Sequence, residues 1–166
     1  MENPAKKMYD FHVWANQTMI NRLKELPEEV YTREIQSVFS SVCKAISHIY
    51  IVDTCWLKIL YGKSMNEALA ESFQLQEQTE AKSVREMEIL YAELAERYRA
   101  ILVTLDNMDE TITLDNPYAG VRDTSYSEIL LQIVNHATYH RGNITAMLRQ
   151  MGHASVMTEY ALYWYS

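Results

Sequence analysis

Residues that interrupt regular structure are scarce in this chain. Three prolines and four glycines serve 166 residues, too few for the many tight turns of a sandwich or barrel, so long helices are expected instead. Basic residues are also in deficit. Fifteen Lys and Arg stand against twenty-two Asp and Glu, a formal charge of −7. No basic patch offsets that excess, which argues against a nucleic-acid backbone as partner. No apolar run approaches the roughly 20 residues of a membrane span. Lys6 and Lys7 are not followed by a continuous apolar segment with a small-residue cleavage site, so no secretory signal is read. No membrane and a cytoplasmic location are the expectations. There are two cysteines, Cys43 and Cys55, twelve apart on one expected helix. That is a rise of about 18 Å, which excludes a bridge between them. Two small buried hydrophobes in a reducing compartment is the expected reading, with a ligand or reactive role for Cys55 the lesser one.

What is present is helical periodicity. Apolar residues recur at three and four from Pro4 to about Leu26 (Met8, Phe11, Trp14 or Ala15, Met19, Leu23), and Pro27 ends that stripe. Residues 28–39 show no clean period. Ser40 and Ser41 offer caps for a second helix to Tyr61, which Gly62 stops. Residues 63–78 contain a short helical candidate, Met65 to Ala70, then a Gln-rich stretch expected to be a loop or crossover. A third helix is expected from Thr79 to about Leu105. The alternation between Asp109 and Thr124 suggests a small irregular hairpin. Ser125 or Ser127 offers the cap for a fourth long helix, Glu128 completing a capping box with Ser125, and the helix runs to about Met151 before Gly152. Residues 159–165 form a short aromatic tail, with a last helical turn, that would cover an end of the bundle or a dimer partner. Four long amphipathic helices bury their faces most simply in an all-α four-helix bundle, one domain over residues 1–166. The long connection before the third helix leaves an up-down-down-up order open.

His136 and His140, four apart, lie on one helical face about a turn from each other. That spacing lets two imidazoles approach one ion at about 2.0–2.1 Å. His48 sits within the apolar run Ala45, Ile46, Ile49, Ile51 and Val52. An imidazole there needs a partner, which is either a shared ion or a single backbone or hydroxyl group. If it faces the other two, three neutral nitrogens surround one ion and leave a position open, as in catalytic rather than closed sites. Asn143, a turn after His140, is a candidate donor to a ligand ring or a wall of the pocket. His12 is a candidate for approach from the first helix, although a surface or rim position is the stronger expectation. Arg141 should point about 100° away from His140, toward a carboxylate or into helix packing. Asp53 falls off the face of His48 and is not expected to ligate. His153 is expected to be exposed. The twelve tyrosines and three tryptophans are scattered in a way that fits core and interface packing.

The run from Ile133 through His136-Ala-Thr-Tyr-His140-Arg141-Gly142-Asn143 to Gly152 resembles the signature of the DinB (DNA-damage-inducible, YfiT-like) family. There the last helix reads His-x-x-x-His-Arg-Gly-Gln, with Asn143 here in place of the final Gln. Tyr9 to Asn16 resembles the family's opening Tyr-x-x-x-x-Trp-Ala-Asn, and His48 followed by Trp56-Leu57 its His with Trp-Leu beyond. The resemblance covers nearly the whole chain. It implies a four-helix bundle with a histidine triad at His48, His136 and His140, a divalent ion such as zinc or nickel, and frequent homodimers. For some members it also implies transfer of low-molecular-weight thiols. The reading is therefore a divalent-metal-binding bundle, either a thiol-dependent transferase or hydrolase acting on a small molecule, or a non-catalytic metal-binding or ligand-sensing bundle.

Overall fold

A computed structural model describes residues 3–166. Its elements, in chain order, are α1 (Pro4–Lys24), α2 (Glu28–Thr32), α3 (Val42–Leu60), α4 (Met65–Phe73), α5 (Gln76–Glu80), α6 (Val84–Thr104), β1 (Thr111–Asn116), β2 (Gly120–Ser125), α7 (Tyr126–Gln150) and α8 (Tyr160–Tyr163). The four long helices, α1, α3, α6 and α7, form the bundle.

Side-chain contacts fix their directions. Lys6 at the start of α1 donates to the Leu102 and Leu105 carbonyls at the end of α6, while Lys24 at the other end of α1 pairs with Glu88. These two helices are therefore antiparallel. The Tyr91 and Tyr98 hydroxyls of α6 donate to the Ile46 and Asp53 carbonyls of α3, so α3 and α6 run the same way. Asn16 meets Arg141, and Arg22 meets the Ala154 carbonyl just beyond α7, so α1 and α7 run together. The order is up-down-down-up. Because α3 and α6 are parallel, the chain must climb the length of the bundle between them, and α4 and α5 pack on α3 along that path.

The apolar core forms two main clusters. One gathers Met19, Ile20, Ile46, Ile49, Met87 and Met147, and the other Tyr9, Leu57, Leu94, Tyr98, Leu130 and Ile133. Between them lies a level of buried polar side chains: His12 and Asn16 on α1, Asp53 on α3 and Arg141 on α7. The bundle is thus apolar at both ends and polar at its waist.

Several expected boundaries move, each for a local reason. The third long helix begins at Val84, not Thr79. Ser83 accepts from the Glu86 amide while the Glu86 carboxylate accepts from the Ser83 amide, a reciprocal cap that satisfies free donors of the first turn. The Gln-rich stretch lies in the crossover, and it is helical instead of a loop. Ser64 and Glu67 form the same cap on α4, which extends to Phe73, and Gln76–Glu80 makes a further turn. Residues 28–32 are helical although too short to show a period. Ser41 does occupy the cap position of α3, but its hydroxyl contacts Cys43 Sγ at 3.1 Å instead of a backbone amide. Gly62 closes α3 with a left-handed φ of 91° that side chains with a Cβ resist. The hairpin is regular, pairing Thr111 with Ser125 through Asn116 with Gly120. Among the described residues, no helix is long and apolar enough to cross a membrane.

Glu128 caps α7 and also holds Arg122 and Thr124 of β2. Replacing Ser125 with Ala removes the acceptor for the Glu128 amide, 3.2 Å away, and should cost about 1 kcal/mol. Urea unfolding should show a lower midpoint with an unchanged slope.

Candidate metal centre

The buried face of α7 runs through Ile129, Ile133, Ala137, Ile144 and Met147. Anchoring that stripe turns positions 136 and 140 toward α3, whose own buried residues on either side of His48 leave its ring at the α3–α7 seam. His48 and His136 are half-buried, and His140 is 8% exposed. Their ring centroids lie 4.5 to 5.1 Å apart, and one nitrogen from each falls within 4.8 Å of the others. His48 Nε2 is 3.2 Å from His136 Nε2. Two nitrogens bound at about 2.0–2.1 Å to one tetrahedral ion would stand roughly 3.3 Å apart, so this donor set fits a divalent cation. His48 thus meets another imidazole, not the backbone or hydroxyl partner its apolar surroundings also allowed.

The rings are held from outside. Asn143 Nδ2 lies 3.1 Å from His140 Nδ1, leaving Nε2 as the nitrogen free to ligate. Rotation of the carboxamide would let its oxygen accept from Nδ1–H. Phe39, in the segment before α3, stands 5.3 Å from His48 and 5.2 Å from His140, and Tyr139 stands 5.0 Å from His140. The aperiodic stretch 28–39 gave no signal for Phe39, because its position depends on the path of a loop.

Burial and mutual repulsion keep the three rings neutral. Burial, then His140 and His48, hold His136 down at about 3. Burial followed by His48 holds His140 at about 4, and burial also lowers His48. Neutral imidazole is the form that ligates a metal.

His12 is placed otherwise than expected. It is 2% exposed, neither on the surface nor at a rim. The spacing Ala5, Tyr9, His12, Asn16, Met19 puts it on the buried stripe of α1, a signal present in the sequence. It remains outside the triad. Its Nε2 is 2.8 Å from Asp53 Oδ2; donating there, it cannot also accept from Asn16 Nδ2, which stands 3.1 Å away. Arg141 is likewise buried, over the Phe11 ring at 5.7 Å, and donates to Asn16 Oδ1 and Thr138 Oγ1 at 2.8 Å each. Of the two expectations, packing between helices holds, and the direct partner of Arg141 is a carboxamide and not a carboxylate. Burial lowers its pKa to about 10, against an opposing pull from Asp53, so it stays charged near neutrality. Asp53 is no ligand, as expected, but it anchors this network. His153 is half-buried, not exposed. Cys43 and Cys55 are free and buried, and burial pushes the Cys55 thiol up to about 11, against a ligand or reactive role.

Three imidazole nitrogens converging between antiparallel helices of an up-down-down-up bundle define a helical-bundle protein with a candidate metal centre. The DinB family model matches residues 1–166, and the chain belongs to that family. It is similar to Protein DinB of Bacillus subtilis (strain 168), with 50% identity over 163 residues that cover 98% of this chain and 95% of that one.

Two outcomes follow for the metal-free protein. Between pH 6.5 and about 4 the unfolded chain binds more protons at these histidines than the folded one. Stability should therefore fall as the pH drops through that window, and less steeply in His136→Gln, as thermal melts at successive pH values would register. Asp53→Ala leaves buried His12 without its carboxylate partner and removes the negative charge that offsets the burial of Arg141, and should cost on the order of 3 kcal/mol in urea unfolding.

Proposed function

We propose that this chain binds one divalent ion through His48, His136 and His140, and that the centre serves a metal-dependent transferase or hydrolase reaction on a small molecule. The convergence of three uncharged nitrogens within 4.8 Å carries this reading. Among the described residues the group holds no fourth His, Cys, Asp or Glu. A closed structural zinc site normally has four protein ligands, whereas three leave a position for water or substrate.

A divalent ion held there would lower the pKa of a coordinated water or thiol and polarise a carbonyl oxygen. The chain's own residues have separable tasks. The three histidines offer lone pairs without first shedding protons. Asn143 orients His140. Phe39 keeps water from two of the rings and so lowers the local dielectric. Imidazole donors suit zinc and nickel alike. A low-molecular-weight thiol as co-substrate is the family's suggestion for the open position, and a thiol-transfer screen addresses it directly.

Elemental analysis after reconstitution should give close to one ion per chain. His48→Ala, His136→Ala and His140→Ala should each abolish retention through gel filtration. Asn143→Leu, which leaves the three ligands in place, should weaken metal affinity by roughly 10- to 100-fold. A parent protein that holds no ion after exposure to zinc or nickel would overturn the proposal.

A further inference from the structure

The triad is covered unevenly. Phe39 stands over His48 and His140, which closes the approach from the segment preceding α3. In the opposite direction the α3–α7 seam continues toward the hairpin. Because the two helices are antiparallel, Trp56, eight residues after His48, and Gln132, four before His136, lie on the same side of the triad. They stand about 12 Å and 6 Å along their helices from those ligands. Both line a pocket of about 610 Å³ that Leu114 and Arg122 of the hairpin bound. That volume lies within the range of small-molecule sites.

The chemistry of the walls narrows the occupant. Trp56 and Leu114 offer a flat ring and an aliphatic surface. At the exposed rim Arg122 pairs with Glu128 at 2.9 Å, so the two opposite charges there offset each other. The remaining acceptors of Glu128 are taken by Thr124 Oγ1 and the Ser125 amide, each at 3.0 Å. Gln132 and Asn135 are exposed carboxamides with no hydrogen bond to the described residues. They can both donate and accept. A pocket with apolar faces, no net charge at its rim and two free amides suits an uncharged, flat group bearing hydrogen-bonding substituents.

We propose that this pocket holds the body of the substrate: an uncharged aromatic or similarly flat group, attached to the head that reaches the three histidines. The proposal rests on the metal reading above. It gives the hairpin a task in substrate selection, and it assigns Trp56, Gln132 and Asn135 to binding.

Three hydroxamates separate the two claims in zinc-reconstituted protein, with affinities measured by isothermal titration. Acetohydroxamate carries only the metal-binding head, benzohydroxamate adds a flat ring, and 4-carboxybenzohydroxamate adds a charge to that ring. Benzohydroxamate should bind at least about tenfold tighter than acetohydroxamate, and the added carboxylate should bring no further gain. Ala119→Trp, a change at an exposed lining position that fills the pocket, should bring the first two probes to within about twofold while acetohydroxamate affinity stays unchanged. Trp56→Ala should narrow the gap in the same way. Equal affinities for the two probes in the parent, a gap that survives Ala119→Trp, or a large gain from the carboxylate would each overturn the pocket assignment while leaving the metal centre standing. No binding of acetohydroxamate would overturn the metal reading and the pocket assignment with it.

Discussion

Asp53 on α3 and Arg141 on α7, each 1% exposed, are both held by α1: Asp53 by His12, and Arg141 by Asn16 one turn further on. Burying charge is costly unless geometry and hydrogen bonding compensate, so this link tolerates little slippage. Its consequence reaches the candidate metal centre through the chain itself. Arg141 directly follows His140, and Asp53 is five residues beyond His48. Fixing both to the same helix fixes the rotation and register of the two helices that carry the imidazoles. Apolar packing above and below the waist supplies the bulk of the cohesion, but it is less directional. The polar link selects one arrangement.

Three imidazoles facing one another without a carboxylate between them form an unfavourable place for protons. Burial and mutual repulsion depress their basicity, and the metal-free protein loses stability on acidification for that reason. The same depression favours a cation, because nitrogen lone pairs are exposed to the ion without competition from protons near neutrality. The arrangement therefore sets a cost in one state against readiness in another. Strained or costly groupings of this kind concentrate where a ligand acts.

Much of this was legible in the sequence, and unevenly so. The long helices announced themselves by periodicity, and the i,i+4 pair His136 and His140 declared a shared face. His48 was suspicious for its apolar surroundings, but only the fold could bring it across to the pair. The Ser-x-x-Glu cap at Ser83 was readable and was overlooked, which misplaced the start of α6, whereas α5, a single turn with no side-chain cap, gave no such signal. His12 lay on the stripe of Tyr9, Asn16 and Met19, yet a titratable residue reads by default as exposed. Asp53 and Phe39 were beyond reach. A buried carboxylate can be recognised only when its partner on another helix is known, and Phe39 owes its position to the path of a loop. Arg141 was correctly taken away from the ligand face, but whether its partner was a carboxylate or a carboxamide depended on α1.

The central claim, that three uncharged imidazoles converge on one ion, can be tested by counting protons as zinc is titrated into the metal-free protein at pH 6 in buffers of different ionisation enthalpy. Three histidines of ordinary basicity, pKa about 6.5, would together release about two protons on binding. With His136 held at about 3, His140 at about 4 and His48 also lowered, the account predicts saturation at one ion per chain with well under one proton released. Release of two protons, or no saturable binding, would contradict it.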